Sequence, residues 1–383
     1  MASDIVDEDW NDDLASEVTA EGVSSLVVYS RDWTVDTILR QIEQGNIELN
    51  PQFQRRNAWT DAKRSKLVES LIIGVPVPEI VLAEDVNRKK SFIVIDGKQR
   101  LLALAGFADP AKYISWDKPV LTGLQTRKDL NGDDAVALSA KADDYRQLMN
   151  ADIRCTVISN YQSSDVLYDI FYRLNTGSVP LSSQELRQVL KRGPFSDFLI
   201  SVTNNPLPLH DVMRLSGPDN RLRDAEIVLR YIAISMNGMQ YRGSLGAFLD
   251  DSAEMINSNW GQLNNAVVAL FQELNDATAS LLDKFGEKVG RKVVRGKWEG
   301  RFNRALFEVQ AYYFGKIPAA ALAKVSQGEV MQRFSDFCSN TPDFLDSIET
   351  TTKNPRRYRA RYELFMDFVN QVFGTQINSV PVP

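Results

Sequence analysis

Two short apolar runs limit the fold more than any other feature of the chain. Ile80-Val81-Leu82 and Phe92-Ile93-Val94-Ile95 contain no polar residue and are mostly β-branched. Runs this short do not make helices, and without polar alternation they read as strands buried on both faces. Asn87-Arg88-Lys89-Lys90 supplies the turn between them. Val75-Pro76-Val77-Pro78 leads into the first as a rigid extended link, because proline fixes φ and biases its predecessor away from helix. Helical patterns precede it. Val35, Ile38, Leu39 and Ile42 recur at helical spacing behind Thr34 as a cap, with Gly45 past the end. Leu67, Val68, Leu71 and Ile72 form the apolar face of a second helix, Thr60 to Ile73, capped by Thr60 or Asp61 and stopped by Gly74. Ile47-Glu48-Leu49 reads as a short strand and Ile153 to Ile158 as a further one, while residues 109–150 are polar, weakly periodic and read as an insertion.

From Ser164 the pattern is helical almost to the end. Leu167, Ile170, Phe171 and Leu174 share one face. Val267, Leu270, Phe271, Leu274, Leu281 and Leu282 share another, and Tyr358, Tyr362, Phe365, Val369 and Val372 a third. The expected fold class is therefore α+β: an α/β N-terminal domain followed by a mostly α-helical C-terminal domain. A chain of 383 residues is long enough for two such domains. The boundaries expected are an acidic tail over 1–28, a first domain over 29–200 and a helical domain over 201–383.

Composition excludes several chemistries. The chain holds one histidine, His210, in a proline-broken loop with no nucleophile motif beside it. HNH nucleases, HD phosphohydrolases and HExxH metalloproteases each need at least two, so His210 reads as structural or surface. Two cysteines, Cys155 and Cys338, provide neither a disulfide framework nor a zinc quartet, and no metal site is expected from side chains alone. No apolar run approaches the length of a membrane helix and the N-terminus is acidic, so a cytoplasmic location without membrane association is expected. Net charge is −6, yet eight acidic side chains and no Lys or Arg lie within residues 1–30. That segment reads as a solvated tail, or as one that competes with nucleic acid for a basic groove.

The chemistry is concentrated in Asp96-Gly97-Lys98-Gln99-Arg100, where a strand gives way to a helix. Such a turn gathers free backbone N–H groups and the positive helix end at one spot, which suits an anion. Gly97 permits close backbone approach, and Lys98 and Arg100 add charge, Arg100 in a geometry that can grip phosphate. Taken alone, the segment fits an anion site and an ordinary helix capped by Asp96 equally well. Two other clusters stand out. Asn50 to Trp59 carries adjacent Arg55 and Arg56 among amides and aromatics. Phe171-Tyr172-Arg173-Leu174-Asn175-Thr176-Gly177 leads into Leu181-Ser182-Ser183-Gln184-Glu185-Leu186-Arg187, where Ser182 and Glu185 form a capping box.

Together these segments resemble the N-terminal domain of GmrSD-type restriction systems, a ParB/sulfiredoxin-like fold with an Asp-Gly-Gln-Gln-Arg motif. Phe53-Gln54-Arg55 with Trp59, the Val75 to Pro78 link, the Asp96 to Arg100 turn and the Phe171 to Arg187 segment follow the family order over roughly residues 29–195. The chain departs from the pattern at Lys98, which replaces the first Gln, and at Arg56-Asn57, where Pro and an aromatic are common. The C-terminal HNH nuclease of many relatives is not expected in this sequence, because a single histidine cannot supply it.

The resemblance implies a nucleoside triphosphate, with Mg2+, bound at the turn. Gly97, Lys98, Gln99 and Arg100 would hold phosphates, Gln54 and Arg55 would face the same pocket, and Asn175 with Arg187 would close it. Asp96 and Arg100 would act in any hydrolysis, Asp96 by positioning metal or water. No Walker A motif is present. The residues themselves add a nucleic-acid reading. Arg291, Lys292, Arg295 and Lys297 with Trp298 and Phe302 form one cationic and aromatic run, and Arg356 and Arg357 with Tyr358 and Tyr362 a second.

Three functions fit. The first is a nucleotide-binding, NTP-hydrolysing component of a prokaryotic or phage-related restriction or anti-phage system, with DNA as partner. The second is a non-enzymatic module that binds DNA or a separately encoded nuclease or defence subunit. The third is a ParB-like nuclease. The oligomeric state is open.

Overall fold

The structure is a computed structural model, and it describes residues 25–49, 59–85, 88–161, 166–167, 170, 182–349 and 354–383. It is α+β. Two compact units meet in sequence between Leu181 and Ser182.

The N-terminal unit is built on a four-stranded mixed sheet. Its elements are β1 (Val27–Thr34), α1 (Val35–Glu43), α2 (Asp61–Ile72), β2 (Ile80–Glu84), β3 (Phe92–Asp96), α3 (Lys98–Ala108), α4 (Ala135–Ala140), α5 (Ala142–Asn150) and β4 (Asp152–Ser159). Strand order is β1-β4-β2-β3, with β4 antiparallel to β1 and parallel to β2. The two apolar runs are the buried strands β2 and β3. Thr34 caps α1 through its hydroxyl, as its pattern required, and of the two candidates Thr60 and Asp61 it is the Thr60 hydroxyl that caps α2. Ile47-Glu48-Leu49 contributes only an isolated bridge from Ile47 to Phe92. β1 carries no clean apolar alternation, and its register against β4 is what makes it a strand.

One sheet face packs Ile80, Leu82, Val94, Cys155 and Val157 with the helices into a single core. Residues 109–150 belong to that core through Tyr113, Trp116, Leu121, Leu124, Leu130, Leu138 and Leu148. α2 stitches this segment down with one polar face. Asp61 accepts from the backbone N–H groups of Asp117 and Lys118, Ser65 from Thr122, and Glu69 from Thr126 and Arg127. Five backbone donors of an otherwise irregular segment are satisfied in this way, which explains how so polar a stretch is held in place.

The C-terminal unit is helical, comprising α6 (Ser183–Leu190), α7 (Pro194–Thr203), α8 (Pro208–Met213), α9 (Arg223–Asn237), α10 (Leu245–Ser258), α11 (Trp260–Phe285), α12 (Arg304–Phe314), α13 (Ala319–Leu322), α14 (Gln327–Asn340), α15 (Pro342–Glu349) and α16 (Pro355–Phe373). A small hairpin, β5 (Val293–Val294) and β6 (Lys297–Trp298), follows α11. The capping box at Ser182 and Glu185 is formed. All five apolar residues expected on the last helix, Tyr358, Tyr362, Phe365, Val369 and Val372, are buried. Both tyrosine hydroxyls donate to Glu308, at 2.7 and 3.0 Å. Burial first, and Glu308 second, raises their pKa values, so these rings belong to the core and do not present a face for base stacking.

His210 is structural. Its Nδ1 accepts from the Leu207 N–H at 3.2 Å, which leaves Nε2 to carry the proton and donate to Asp224 at 3.1 Å. Asp224 is fully buried and also accepts from the Asp219 N–H. Among the described residues no helix is long and apolar enough to cross a membrane.

Candidate functional site

The turn between β3 and α3 is shaped by a β-bulge. Val81 pairs with Asp96, but the next residue, Leu82, pairs with Val94, so Ile95 has no partner of its own. A bulge places two successive residues opposite one and re-aims their side chains. Ser30, Thr156, Val81 and Asp96 thereby form one row across the sheet through their pairings. Val81 and Thr156 alternate with core residues of their strands, so this row lies on the face opposite the helical core. The row is hydrogen-bonded. Ser30 and Thr156 share a hydrogen bond of 3.0 Å, and Thr156 donates to the Glu79 carboxylate at 2.8 Å.

Gly97 is where the chain turns. Its φ of 92° is left-handed, and a Cβ there would stand 3.0 Å from Ile80 Cγ1 and 3.2 Å from Arg100 Nη2. Both the backbone conformation and the space demand glycine. Gly97 is also the N-cap of α3, which has no side-chain cap and no acidic residue in its first turn. Asp96 is thus not the cap that an ordinary helix start would use. Its carboxylate instead accepts from Arg100 Nη2 at 2.8 Å, and the same nitrogen donates to the Glu79 carbonyl at 2.9 Å. The Arg100 side chain is only 12% exposed, and that of Asp96 34%. Arg100 Nε and Gln99 Oε1 are buried without a hydrogen-bond partner among the described residues. An uncapped helix start, a left-handed glycine and a buried guanidinium N–H without a partner among the described residues lie within Asp96 to Arg100. That donor set fits a phosphate, whose oxygens accept hydrogen bonds and carry negative charge.

Lys98, at the first position of α3, is half-buried. Gln54, Arg55 and Asn175 lie outside the described residues. Arg187 belongs to the C-terminal unit and is 2% exposed. Its Nε donates to Asp250 at 2.5 Å and its Nη1 to Gln184 at 2.8 Å. A guanidinium committed to a buried carboxylate in this way holds α6 to α10. Glu79, which sequence reasoning missed, supplies the second acceptor for Arg100. Its only signal was its place directly after the Pro-x-Pro link.

The cationic runs also divide. Arg291 is 2% exposed, donates to the carbonyls of Val212 and Val289, and lies over the Phe302 ring at 5.3 Å. Burial, and then the neighbouring Arg214, pushes its pKa down. It is a core residue. Trp298 is stacked on Phe334 at 5.7 Å, so its ring is used internally. Lys292 is held by Glu299 and Glu349. Arg295, Lys297, Arg356 and Arg357 are exposed.

Among the described residues no group of three or more His, Cys, Asp or Glu is arranged to hold a metal ion. No curated protein matches the chain. Residues 35–190 match the family model described as the GmrSD restriction endonuclease N-terminal domain, ending at the last residue of α6. The matched span includes the bulged strand, Gly97 and Arg100, so over residues 35–190 the chain is similar to that family.

Proposed function

We propose that this protein is a nucleotide-binding component of a restriction or anti-phage defence system, and that it takes the phosphates of a nucleoside triphosphate at the Asp96 to Arg100 turn. The family supports the restriction context. The observation that carries the nucleotide reading is the uncapped start of α3 together with the buried Nε of Arg100, which has no partner among the described residues. Backbone N–H groups of the first helical turn would hold phosphate oxygens, Arg100 would add a charge-assisted hydrogen bond, and Lys98 would add charge. Mg2+ commonly takes one or two carboxylates together with phosphate oxygens, and Asp96 is the carboxylate at this turn. One Asp96 oxygen already holds Arg100. That favours a site that senses nucleotide over one that hydrolyses it, with DNA cleavage performed by a separately encoded nuclease.

Calorimetry with each of the four common ribonucleoside triphosphates and Mg2+ tests the reading. Binding of at least one, lost in Arg100→Ala, is expected; absence of binding by all four overturns it. Phosphate release by the wild-type protein would restore hydrolysis as its activity.

A further inference from the structure

Four exposed cations of the C-terminal unit, Arg295, Lys297, Arg356 and Arg357, come from two separate stretches of sequence, and α15 links the two. β5 and β6 are joined by Arg295 and Gly296, with φ of 50° and 72°. Two successive left-handed residues make the tight hairpin turn that matches strand twist. Arg295, Gly296 and Lys297 are exposed at its tip. The base of the hairpin is fixed by Val293, which is buried, by Trp298 on Phe334, and by the Glu299 N–H to Lys292 carbonyl bond of 3.0 Å. The tip is therefore a supported projection.

The last turn of α15 links this hairpin to the start of α16. Glu349 accepts from Lys292 at the hairpin base, and Asp346 pairs with Arg357 of α16 at 3.3 Å. Asp346 and Glu349 are three residues apart on one helix, so their side chains share a face. Asn303, just beyond the hairpin, donates to the Ile348 carbonyl in the same turn. The hairpin and the first turn of α16 thus flank one side of α15. The local acids are taken: Asp346 by Arg357, and Glu299 and Glu349 by Lys292. Arg295, Lys297 and Arg356 have no ion-pair partner among the described residues and leave the face positive. The large hydrophobic side chains exposed elsewhere, from Val27 to Val268, include none from this face. A protein interface centres on apolar and aromatic groups, whereas a nucleic-acid backbone asks only for positive charge at a projecting surface.

We propose that the β5–β6 hairpin tip and the first turn of α16 form one docking face for the sugar-phosphate backbone of a DNA duplex, with Arg295, Lys297 and Arg356 as the phosphate contacts. Anisotropy of a short labelled DNA duplex with the full chain, titrated over a range of salt and without nucleotide, tests this. Leaving nucleotide out lets the face stand or fall independently of the Asp96 to Arg100 turn. Wild type should bind with an affinity that falls steeply with salt. Arg295→Ala/Lys297→Ala should bind about tenfold more weakly at low salt, and its salt slope should be smaller by about 2. Arg356→Ala should weaken binding in the same direction. Arg146→Ala, an exposed cation of the N-terminal unit, should behave as wild type. All four positions are exposed, so circular dichroism and Tm of the variants should match wild type. Duplex binding that is absent in wild type, insensitive to the double substitution, or equally reduced by Arg146→Ala overturns the proposal.

Discussion

Arg100 Nη2 bridges Asp96 and the Glu79 carbonyl, at 2.8 and 2.9 Å, and so ties the first turn of α3 back to the start of β2. This pair is local in sequence, yet its purpose depends on a strand that enters from Pro78. Asp96 holds the guanidinium in place while Nε has no partner among the described residues. In this arrangement the charge of the carboxylate offsets that of a buried cation.

Asp96→Asn keeps an acceptor for Arg100, whereas Asp96→Ala removes it. Nucleotide affinity by calorimetry should stay within a few-fold for Asn and fall about tenfold for Ala, the size of one hydrogen bond to a charged group. An equal fall in both variants would make the charge itself, as a metal ligand, the important property.

Gly97→Ala should destabilise the N-terminal unit by about 2 kcal/mol, since an L side chain is strained at this φ and would press on Ile80. Denaturant unfolding should show a lower midpoint for the transition of that unit. The transition of the C-terminal unit should not move.

Arg291→Met and Arg295→Ala lie four positions apart and should report different physics. The first leaves the Val212 and Val289 carbonyls without their donor, and should lower the stability of the C-terminal unit by about 2–3 kcal/mol. The second should leave stability unchanged. A pair of thermal melts separates them.

Cys155 and Cys338 should resist thiol reagents in the folded protein. Burial pushes their pKa up to about 12 and about 11, so at pH 8 almost no thiolate is present to react. Disulfide-exchange labelling should detect neither thiol until denaturant is added, and both afterwards. Their linkage to stability has a definite sign. In the unfolded chain the thiols ionise near pH 9, while in the folded chain they stay protonated, so stability contributed by these groups is present below about pH 9 and lost as pH rises towards 11–12. Urea midpoints at pH 8 and pH 10 should fall in that order.

Much of the fold is legible in the order of the residues. The capping hydroxyls of Thr34 and Thr60, the reciprocal Ser182 and Glu185 box, and the buried runs of β2 and β3 are short-range features, and each forms where its pattern stands. β1 is not legible in this way, because Val27 to Thr34 has no strong alternation and is a strand only through its pairing with β4. The core role of residues 109–150 is hidden for a related reason: Asp61, Ser65 and Glu69 hold that segment from another part of the chain.

The candidate site shows the same division. The sequence by itself determined the strand, the glycine and the helix at Asp96 to Arg100, because local backbone preference and residue chemistry suffice for those. It could not supply the bulge at Ile95, which re-aims Asp96, or the Glu79 carbonyl that completes the Arg100 bridge. Nor could it separate Arg291 from Arg295, or foresee that Arg187 is spent on Asp250. A run of cations records charge but not burial, and burial is set by residues distant in sequence. Tertiary structure decided which charges reach solvent, since each guanidinium is held inside or left outside by groups that only folding brings beside it.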